Sequence, residues 1–496
     1  MPQTSDSGTG ADHFKLRREL NVWHGTSIVV GAIIGSGIFL VPTDMMRATG
    51  SALLVCLAWI VGGALSLFGA LTYSELGSQR PHTGGSYVFI RDAYGPLPGF
   101  LFAWSGFMII EPACLATIVI GLIRVLGTLD SLQFLVLNIY SLHIIGDFAI
   151  QITYGQFVAL SIIASLTVLN YLGVRRAGNF QLVFTFLKAV TIIVIAVIVS
   201  FAHPGSVSHF AGHWEGARGG VAGFMAAVVA TMWAFNGWDG VTSVAGEVRN
   251  PKKSIPFAIL GGTGLSITLY LFINAAVQYA LPVSVVAQSP LPAATALALV
   301  IGHGGAALVS VAMAVGMLTT LNGGIMVGPR MAFAAVESSH LSILAKISPR
   351  FQTPSIALLV QAAVTFLLIL SGGSFRELFS LAISTGWFWS IVGASTIFVF
   401  RRREPRAEGA YRMWGYPYIP ILFIVAVGVV LFYAFADSPW HSLVAVAAVL
   451  IGVPIYYFSR IRHTSSQTNR ELPVTARPTT ELREEALELV ADAEAE

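Results

Sequence analysis

Long apolar segments alternate with short polar segments along almost the whole chain. Each apolar segment has roughly 20 residues or more, the length that an α-helix needs to cross the hydrocarbon core of a bilayer. The segments of about 10 alternating residues that are typical of a membrane β-barrel are not seen. The pattern predicts an all-α integral membrane protein with twelve spanning helices. We predict these spans at 24–47, 51–77, 96–126, 154–173, 178–201, 220–246, 255–281, 303–334, 353–371, 377–400, 418–436 and 440–459.

Composition supports a membrane protein. The 496 residues are 55% hydrophobic and only 11% charged, whereas a soluble domain has about 25% charged residues. The two cysteines, Cys56 and Cys114, lie far apart in apolar segments, so they indicate neither a disulfide framework nor a metal site. The lipid bilayer is the expected environment, and no cofactor, metal or nucleic acid partner is predicted.

Lysine and arginine set the orientation. If the N-terminus lies in the cytoplasm and the spans alternate, only Arg47, Arg124, Arg218 and Arg376 fall on the outer side. Such an excess on the inner side is typical of cytoplasmic loops. We therefore predict a multi-pass protein of the plasma (inner) membrane with both termini in the cytoplasm. No cleavable signal precedes the first span, and the acidic segment after residue 463 is predicted to be a disordered or weakly helical tail.

The first span contains GAIIGSGIF at 31–39, and glycine inside a helix costs about 1 kcal/mol relative to alanine. A nucleotide-binding loop is a poor interpretation, because the third glycine is missing and no strand precedes the motif. Gly31 and Gly35 fit close helix packing, but that does not explain Gly37. A deliberate helix break does, because transporters use such breaks to present backbone N–H and C=O groups to a charged substrate.

An inverted repeat would place a second break in the matching helix of the other half of the chain. Five spans later, the middle of the sixth span reads WAFNGWDG at 233–240, with two glycines, an asparagine and an aspartate. The sequence thus predicts two broken helices. An amino acid zwitterion has both the anionic and the cationic group that such breaks would bind.

Several motifs in the same order resemble the amino acid–polyamine–organocation (APC) transporter superfamily, and more closely its L-amino-acid-transporter (LAT)-like branch. The resemblance covers roughly residues 20–460. The motifs are GAIIGSGIF at 31–39, YSELGSQRPHTGGSYVFIRDAYG at 73–95, FNGWDGVTSVAGEVRNPKKSIP at 235–256, LNGGIMVGPRMAF at 321–333 and YRMWGYPYIP at 411–420.

The resemblance implies a LeuT-type fold of five plus five inverted helices and two further helices. The implied division of the chain is an N-terminal cytoplasmic tail at 1–20, a first repeat at 21–202, a second at 203–403, the last two helices at 404–462 and a polar cytoplasmic tail at 463–496. It also implies alternating access without covalent chemistry, so the protein is not expected to be an enzyme.

The resemblance further implies a substrate site. Backbone N–H groups around Ser36 and Gly37, with the Ser36 hydroxyl, would hold the α-carboxylate. The carbonyls of Ile33, Trp233 and Asn236 would hold the α-ammonium. The substrate side chain would project towards Phe235 and Trp238. The predicted substrate-binding residues are Ile33, Gly35, Ser36, Gly37, Trp233, Phe235, Asn236, Gly237, Trp238 and Asp239.

Two departures from the family pattern matter. The family often has Gly or Asp in place of Asn236 and Asn in place of Asp239, so Asp239 either shapes the polarity of the pocket or bonds to loop backbone. Eukaryotic members have an outer-loop cysteine that links to a partner glycoprotein. The loop at 127–153 has none, so no disulfide-linked heavy subunit is implied.

Two charged residues lie inside predicted spans, where such residues are usually functional. Lys188 is about ten residues, or ~15 Å, from the inner end of the fifth span. The resemblance implies that its ammonium replaces sodium and bridges the first and eighth spans, near Thr319, Thr320 and Asn322. Lys188 is then either a fixed sodium substitute or a proton-coupling group.

Glu111 is the second such charge, and Pro112 after it is expected to kink the third span. This carboxyl could accept protons, pair with a cation, favour a polar substrate or be bonded within a kinked helix. Glu75 and Glu247 lie near the inner ends of spans, where ion pairs with Arg or Lys are expected.

The predicted function is sodium-independent secondary transport of amino acids, with exchange (antiport) favoured. The alternatives are a proton-coupled amino acid symporter, a polyamine or organocation transporter, and a nutrient sensor on the same scaffold that does not transport. A membrane enzyme is disfavoured, because the sequence has no HExxH motif or nucleophile elbow.

Overall fold

The computed structural model describes residues 16–145, 148–201, 205–302, 304–339, 344, 346–371, 375–404, 409–437 and 439–471. Most of the two predicted tails lies outside the described residues. The helices are α1 (Val22–Ile33), α2 (Gly37–Thr49), α3 (Ala52–Gln79), α4 (Ser86–Tyr94), α5 (Pro96–Ser105), α6 (Glu111–Leu126), α7 (Tyr154–Tyr171), α8 (Val174–Ser200), α9 (Gly220–Ala234), α10 (Gly240–Ser243), α11 (Pro251–Ala280), α12 (Val283–Gln288), α13 (Pro292–Ile301), α14 (Gly304–Ser339), α15 (Ser355–Leu370), α16 (Phe375–Arg403), α17 (Tyr418–Asp437) and α18 (Pro439–Glu471). A π-helical turn, Gly106–Ile110, joins α5 to α6.

A helix or a pair of helices lies at each of the twelve predicted spans. Among the described residues, seven helical segments are long and apolar enough to cross a membrane. The prediction of an all-α chain misses one small element. Strands β1 (Asn138–Ile145) and β2 (Phe148–Thr153) form an antiparallel hairpin in the predicted outer loop.

Local sequence signals define several helix starts. Asn21 caps α1, where its side chain accepts from the backbone N–H of His24 at 3.0 Å and the His24 ring reaches back to the Asn21 N–H. Thr153 and Gln156 form the same type of capping box at α7. These reciprocal bonds satisfy N–H groups that have no partner inside the helix. Pro251 follows Asn250 and opens α11, a position where its missing N–H is not needed.

The two broken spans lie side by side and antiparallel. The second half of the first span, α2, packs on the first half of the sixth span, α9, while α1 packs on α10. Helix α11 packs against α1 and α3, and α8 and α14 enclose α1 from the other side. The two breaks therefore face each other in the middle of the helical core.

Two buried ion pairs confirm the expected partners of Glu75 and Glu247. Arg401 donates to both carboxylate oxygens of Glu75 at 2.8 and 2.6 Å, which joins α16 to α3. Arg330 donates to both oxygens of Glu247 at 2.7 and 3.2 Å, and both side chains are fully buried. Both pairs have the two-bond geometry that makes arginine–carboxylate contacts specific.

Candidate functional site

The first span is interrupted between α1 and α2, as the glycines predicted. Helix α1 ends at Ile33 and α2 begins at Gly37. Within the described part of the chain, the backbone N–H groups of Ser36 and Gly37 donate to no other group. These N–H groups lie at the N-terminus of a 13-residue helix, where partial positive charge favours an anion.

The sixth span is interrupted between α9 and α10. Helix α9 ends at Ala234, and regular helix resumes only at Gly240. Gly237 has φ +110°, and a Cβ there would lie 2.8 Å from the Cβ of Ala32. Only glycine combines this conformation with such a close approach to the other broken span.

One cavity of about 300 Å³ lies between the two breaks, at the lower end of the range for small-molecule sites. Asn236 is the most exposed of the predicted residues around it, and among the described residues no group donates to its carbonyl. Eight of the ten predicted substrate-binding residues line this cavity: Ile33, Gly35, Ser36, Gly37, Trp233, Asn236, Gly237 and Asp239.

Phe235 and Trp238 do not line the cavity, which differs from the expectation that a substrate side chain projects towards them. Phe235 is fully buried and stacks on Tyr270 at a ring-centroid distance of 4.9 Å. Trp238 packs edge-on against Tyr73 at 5.0 Å and Phe423 at 5.7 Å. Both rings therefore pack into the helical core behind the break, because apolar neighbours cover them there.

Lys188 lies on α8 and bridges the first and eighth spans in the way that the resemblance implied. Its ammonium donates to the carbonyls of Gly31 at 3.0 Å and Ile34 at 2.6 Å, and to the Thr319 hydroxyl on α14 at 2.6 Å. The side chain is 1% exposed. An ammonium has three donors, and all three have acceptors here. The predicted Asn322 lies nearby on α14 but bonds to Gln181 and Ala177 instead.

Glu111 and Asp239 both line the cavity. The part of the chain that the structure describes contains no ion pair or hydrogen bond to either carboxylate from another residue. Thr242 donates to the carbonyl of Asp239, through its N–H at 2.9 Å and its hydroxyl at 2.7 Å. Of the two interpretations of Asp239, its place in the lining favours a role in the polarity of the pocket.

Two further residues belong to the site and were not predicted to bind there. The Tyr270 hydroxyl on α11 lies 2.8 Å from the Ile33 carbonyl and 3.1 Å from the Ala234 carbonyl. It therefore contacts the ends of both α1 and α9. Thr320 lines the cavity and donates to the carbonyl of Gly31 at 3.0 Å. A tyrosine within an apolar span carries no sequence signal for this role, whereas Thr320 was itself expected near Lys188 but not in the lining of the cavity.

The arrangement can bind a small zwitterion, which has one anionic and one cationic group. It offers free N–H groups at one helix start, backbone carbonyls at two helix ends, and two carboxylates. Within the described residues, no group of three or more His, Cys, Asp and Glu could hold a metal ion. The chemistry available from these groups is binding and release.

The family model for amino acid permeases matches residues 20–454. The chain is 28% identical to the serine/threonine exchanger SteT of Bacillus subtilis over 455 residues, which cover 91% of this chain and 98% of that protein. It is 29% identical to the human cystine/glutamate transporter, over 90% of this chain and 86% of the relative. It is 28% identical to the human b(0,+)-type amino acid transporter 1, over 89% and 88%. These relatives are membrane transporters and not enzymes, and with them this chain belongs to the amino acid permease family of the APC superfamily.

Proposed function

We propose that this protein is a sodium-independent secondary transporter that exchanges amino acids by alternating access. The observation that carries the proposal is the pair of opposed helix breaks around one cavity. The free N–H groups of Ser36 and Gly37 suit an α-carboxylate, and the Asn236 carbonyl suits an α-ammonium. The Ile33 and Trp233 carbonyls also face the break, although each accepts a backbone hydrogen bond within the chain. The B. subtilis relative is a serine/threonine exchanger, which supports antiport.

Sodium independence rests on Lys188. Its ammonium holds the end of α1 and the Thr319 hydroxyl together, which are contacts that a bound cation would make with oxygen ligands. A positive charge held at this point would take the place of a sodium ion. Lys188 is therefore a fixed structural cation in this proposal.

The proposed architecture has twelve spans, with inverted five-helix repeats at 21–202 and 203–403, two further helices within 404–462, and cytoplasmic tails at 1–20 and 463–496 in a plasma membrane protein. The antiparallel contact of α2 with α9 and of α1 with α10 supports the inverted relation. The distribution of Lys and Arg supports the orientation.

We also propose that no disulfide-linked heavy subunit is needed. Cys56 and Cys114 are free and lie within α3 and α6. The sequence of the outer loop at 127–153 contains no cysteine.

The test is uptake by the purified protein in liposomes without sodium. Liposomes filled with unlabelled amino acid should take up labelled amino acid from outside, whereas liposomes filled with buffer should not. Replacing external potassium by sodium should leave the rate unchanged. An absolute requirement for sodium would contradict the role of Lys188. Equal uptake into liposomes filled with amino acid and liposomes filled with buffer would contradict exchange.

Proton-coupled symport is the second candidate, because the Glu111 carboxyl faces the cavity without an ionic partner in the described chain. It predicts uptake into buffer-filled liposomes when the outside is made acidic. A non-transporting sensor predicts amino acid binding to the purified protein with no uptake under any of these conditions.

A further inference from the structure

The lining of the cavity contains two carboxyl groups and, in the described part of the chain, no basic partner for them. Glu111 and Asp239 line the cavity, and none of the described residues that line it is a lysine, an arginine or a histidine. The nearby ammonium of Lys188 is not part of the lining, and its donors are used by Gly31, Ile34 and Thr319. The zwitterionic part of an amino acid has no net charge, so it would leave both carboxyl groups without a positively charged partner.

The backbone around Glu111 leaves room for its carboxylate beside the cavity. The π-helical turn Gly106–Ile110 immediately precedes it, and such turns within helices are frequent at functional sites. Gly324 on α14 lies opposite, where a Cβ would approach Glu111 Oε2 to 3.0 Å. The glycine therefore leaves room for the carboxylate beside the cavity.

A buried hydroxyl without a partner lies on the same helix. Thr117 is 4% exposed, lines the cavity, and its Oγ1 has no hydrogen-bond partner among the described residues. A buried hydroxyl without a partner is costly, and a ligand with N–H donors would give a partner to Thr117 and to the two partly exposed carboxyl groups.

We propose that the cavity selects amino acids with a positively charged side chain, such as lysine, ornithine and arginine. Glu111, Asp239 and Thr117 form the subsite for the side-chain charge, and the helix breaks hold the α-carboxylate and α-ammonium. This inference rests on the proposed function, since it names the substrate class of the same site. Charge-assisted hydrogen bonds to two carboxylates distinguish such a side chain from a neutral one of equal length.

The test compares three probes of matched length in the liposome exchange assay. Norleucine is a linear neutral amino acid similar in size to lysine, and cadaverine is lysine without its carboxylate. We expect lysine to inhibit labelled lysine exchange at a concentration at least about tenfold lower than norleucine or cadaverine. Equal potency of lysine and norleucine would overturn the cationic subsite. Equal potency of lysine and cadaverine would indicate an organocation transporter and would also overturn the proposal.

Variants then locate the subsite. Glu111→Gln should lower the preference for lysine over norleucine by about tenfold, while Glu111→Asp should retain most of it. Glu215→Gln, an exposed carboxylate in the loop before α9, is the matched control and should leave the preference unchanged. An unchanged preference in Glu111→Gln would remove Glu111 from the subsite. The comparison of the three probes uses the wild-type protein, so it does not depend on whether a variant folds.

The outcomes also separate this inference from the proposed function. Exchange of norleucine and other neutral amino acids without lysine exchange leaves the transporter function intact and overturns only the cationic subsite. If proton uptake accompanies that neutral exchange, the carboxylates bind protons instead. If no amino acid is exchanged, the proposed function itself fails.

Discussion

Gly37 lies where α2 begins, and its missing side chain lets this helix approach α9 closely. A Cβ at this position would lie 3.2 Å from both the Ala234 Cβ and the Trp233 ring. We expect Gly37→Val to push the start of α2 away from α9 and to block the N–H groups that would hold the α-carboxylate. Substrate-induced thermal stabilisation should then be lost, while membrane insertion and yield remain.

Gly428 is the matched control for this change. It lies within α17, and a Cβ there would meet no atom within 4 Å. Gly428→Val should therefore keep substrate-induced stabilisation at the wild-type level. Normal substrate binding by Gly37→Val would show that the start of α2 is not the anion site.

Lys188→Ala tests the fixed cation at the residue scale. The variant would leave the Ile34 carbonyl without its donor, and an unsatisfied buried carbonyl costs about 1–3 kcal/mol. We expect the rate of exchange to fall by about tenfold or more at every pH, because a fixed cation is needed at all pH values. Lys253→Ala, at an exposed position near the start of α11, should have no such effect. A variant that keeps its rate and loses only its pH dependence would favour proton coupling by Lys188.

The residues that sequence predicted best are those that break a rule of membrane helices. Lys188 is a charge in an apolar span, and Gly35 and Gly37 are glycines in a helix interior, so each requires a special explanation. Tyr270 breaks no such rule and was missed, because its bonds to two carbonyls exist only after three spans have packed together. Phe235 lies within a predicted motif, but packing turns its ring towards Tyr270 and away from the cavity.

At the scale of elements, the spans and both breaks were predictable, since hydrophobic length and helix-breaking residues are local properties. The short helices α4, α12 and α13 lie in loops between spans and had no length signal. The hairpin of β1 and β2 has apolar residues at alternating positions, most clearly at Phe148, Ile150 and Ile152 in β2, but the pattern covers only a few residues in a loop between two long spans. These elements depend on the longer helices that surround them.

Tyr270→Phe tests whether α11 couples the two broken spans. The hydroxyl contacts the last carbonyls of α1 and α9, and removing a hydrogen bond of this type costs about 0.5–1.5 kcal/mol. We expect a modest loss of thermal stability and a weaker apparent affinity for substrate, because the two breaks are no longer held in one geometry. Tyr433→Phe, at a half-exposed position on α17, should change neither. An unchanged substrate affinity in Tyr270→Phe would mean that the contact only stabilises the fold.

At the scale of the whole molecule, the ends of several spans on the side where α1 begins are tied together across the two halves of the chain. Leu20, before α1, is fully buried and pairs with the segment after α10: its N–H donates to Glu247 and its carbonyl accepts from Arg249. The Glu247 side chain in turn binds Arg330 on α14. One carboxylate-bearing residue thus connects the N-terminal segment with the sixth and eighth spans. Alternating access requires elements on this side to separate and rejoin, so we infer that this connection helps to close the side of the protein on which α1 begins.

Variants of the Arg330–Glu247 pair test that inference, because the two opposite charges can be removed one at a time or together. Arg330→Met leaves a buried carboxylate without its partner, and breaking a buried pair in this way costs about 3–5 kcal/mol. Replacing both residues, as in Glu247→Leu with Arg330→Met, removes both charges and is often nearly neutral. We therefore expect the single variant to lose much of its thermal stability and the double variant to recover most of it.

Exchange should respond differently from stability. The double variant folds without the bond between α14 and the turn after α10, so the exchange rate in liposomes should stay well below that of the wild type although the protein is stable. Asp92→Asn removes one partner of the more exposed pair with Arg80 and serves as the control, since surface pairs contribute only about 0–1 kcal/mol. A stable double variant with wild-type exchange would assign the pair to folding alone. A double variant as unstable as Arg330→Met would instead indicate that the arginine also holds the Met326 carbonyl, to which it donates at 2.9 Å.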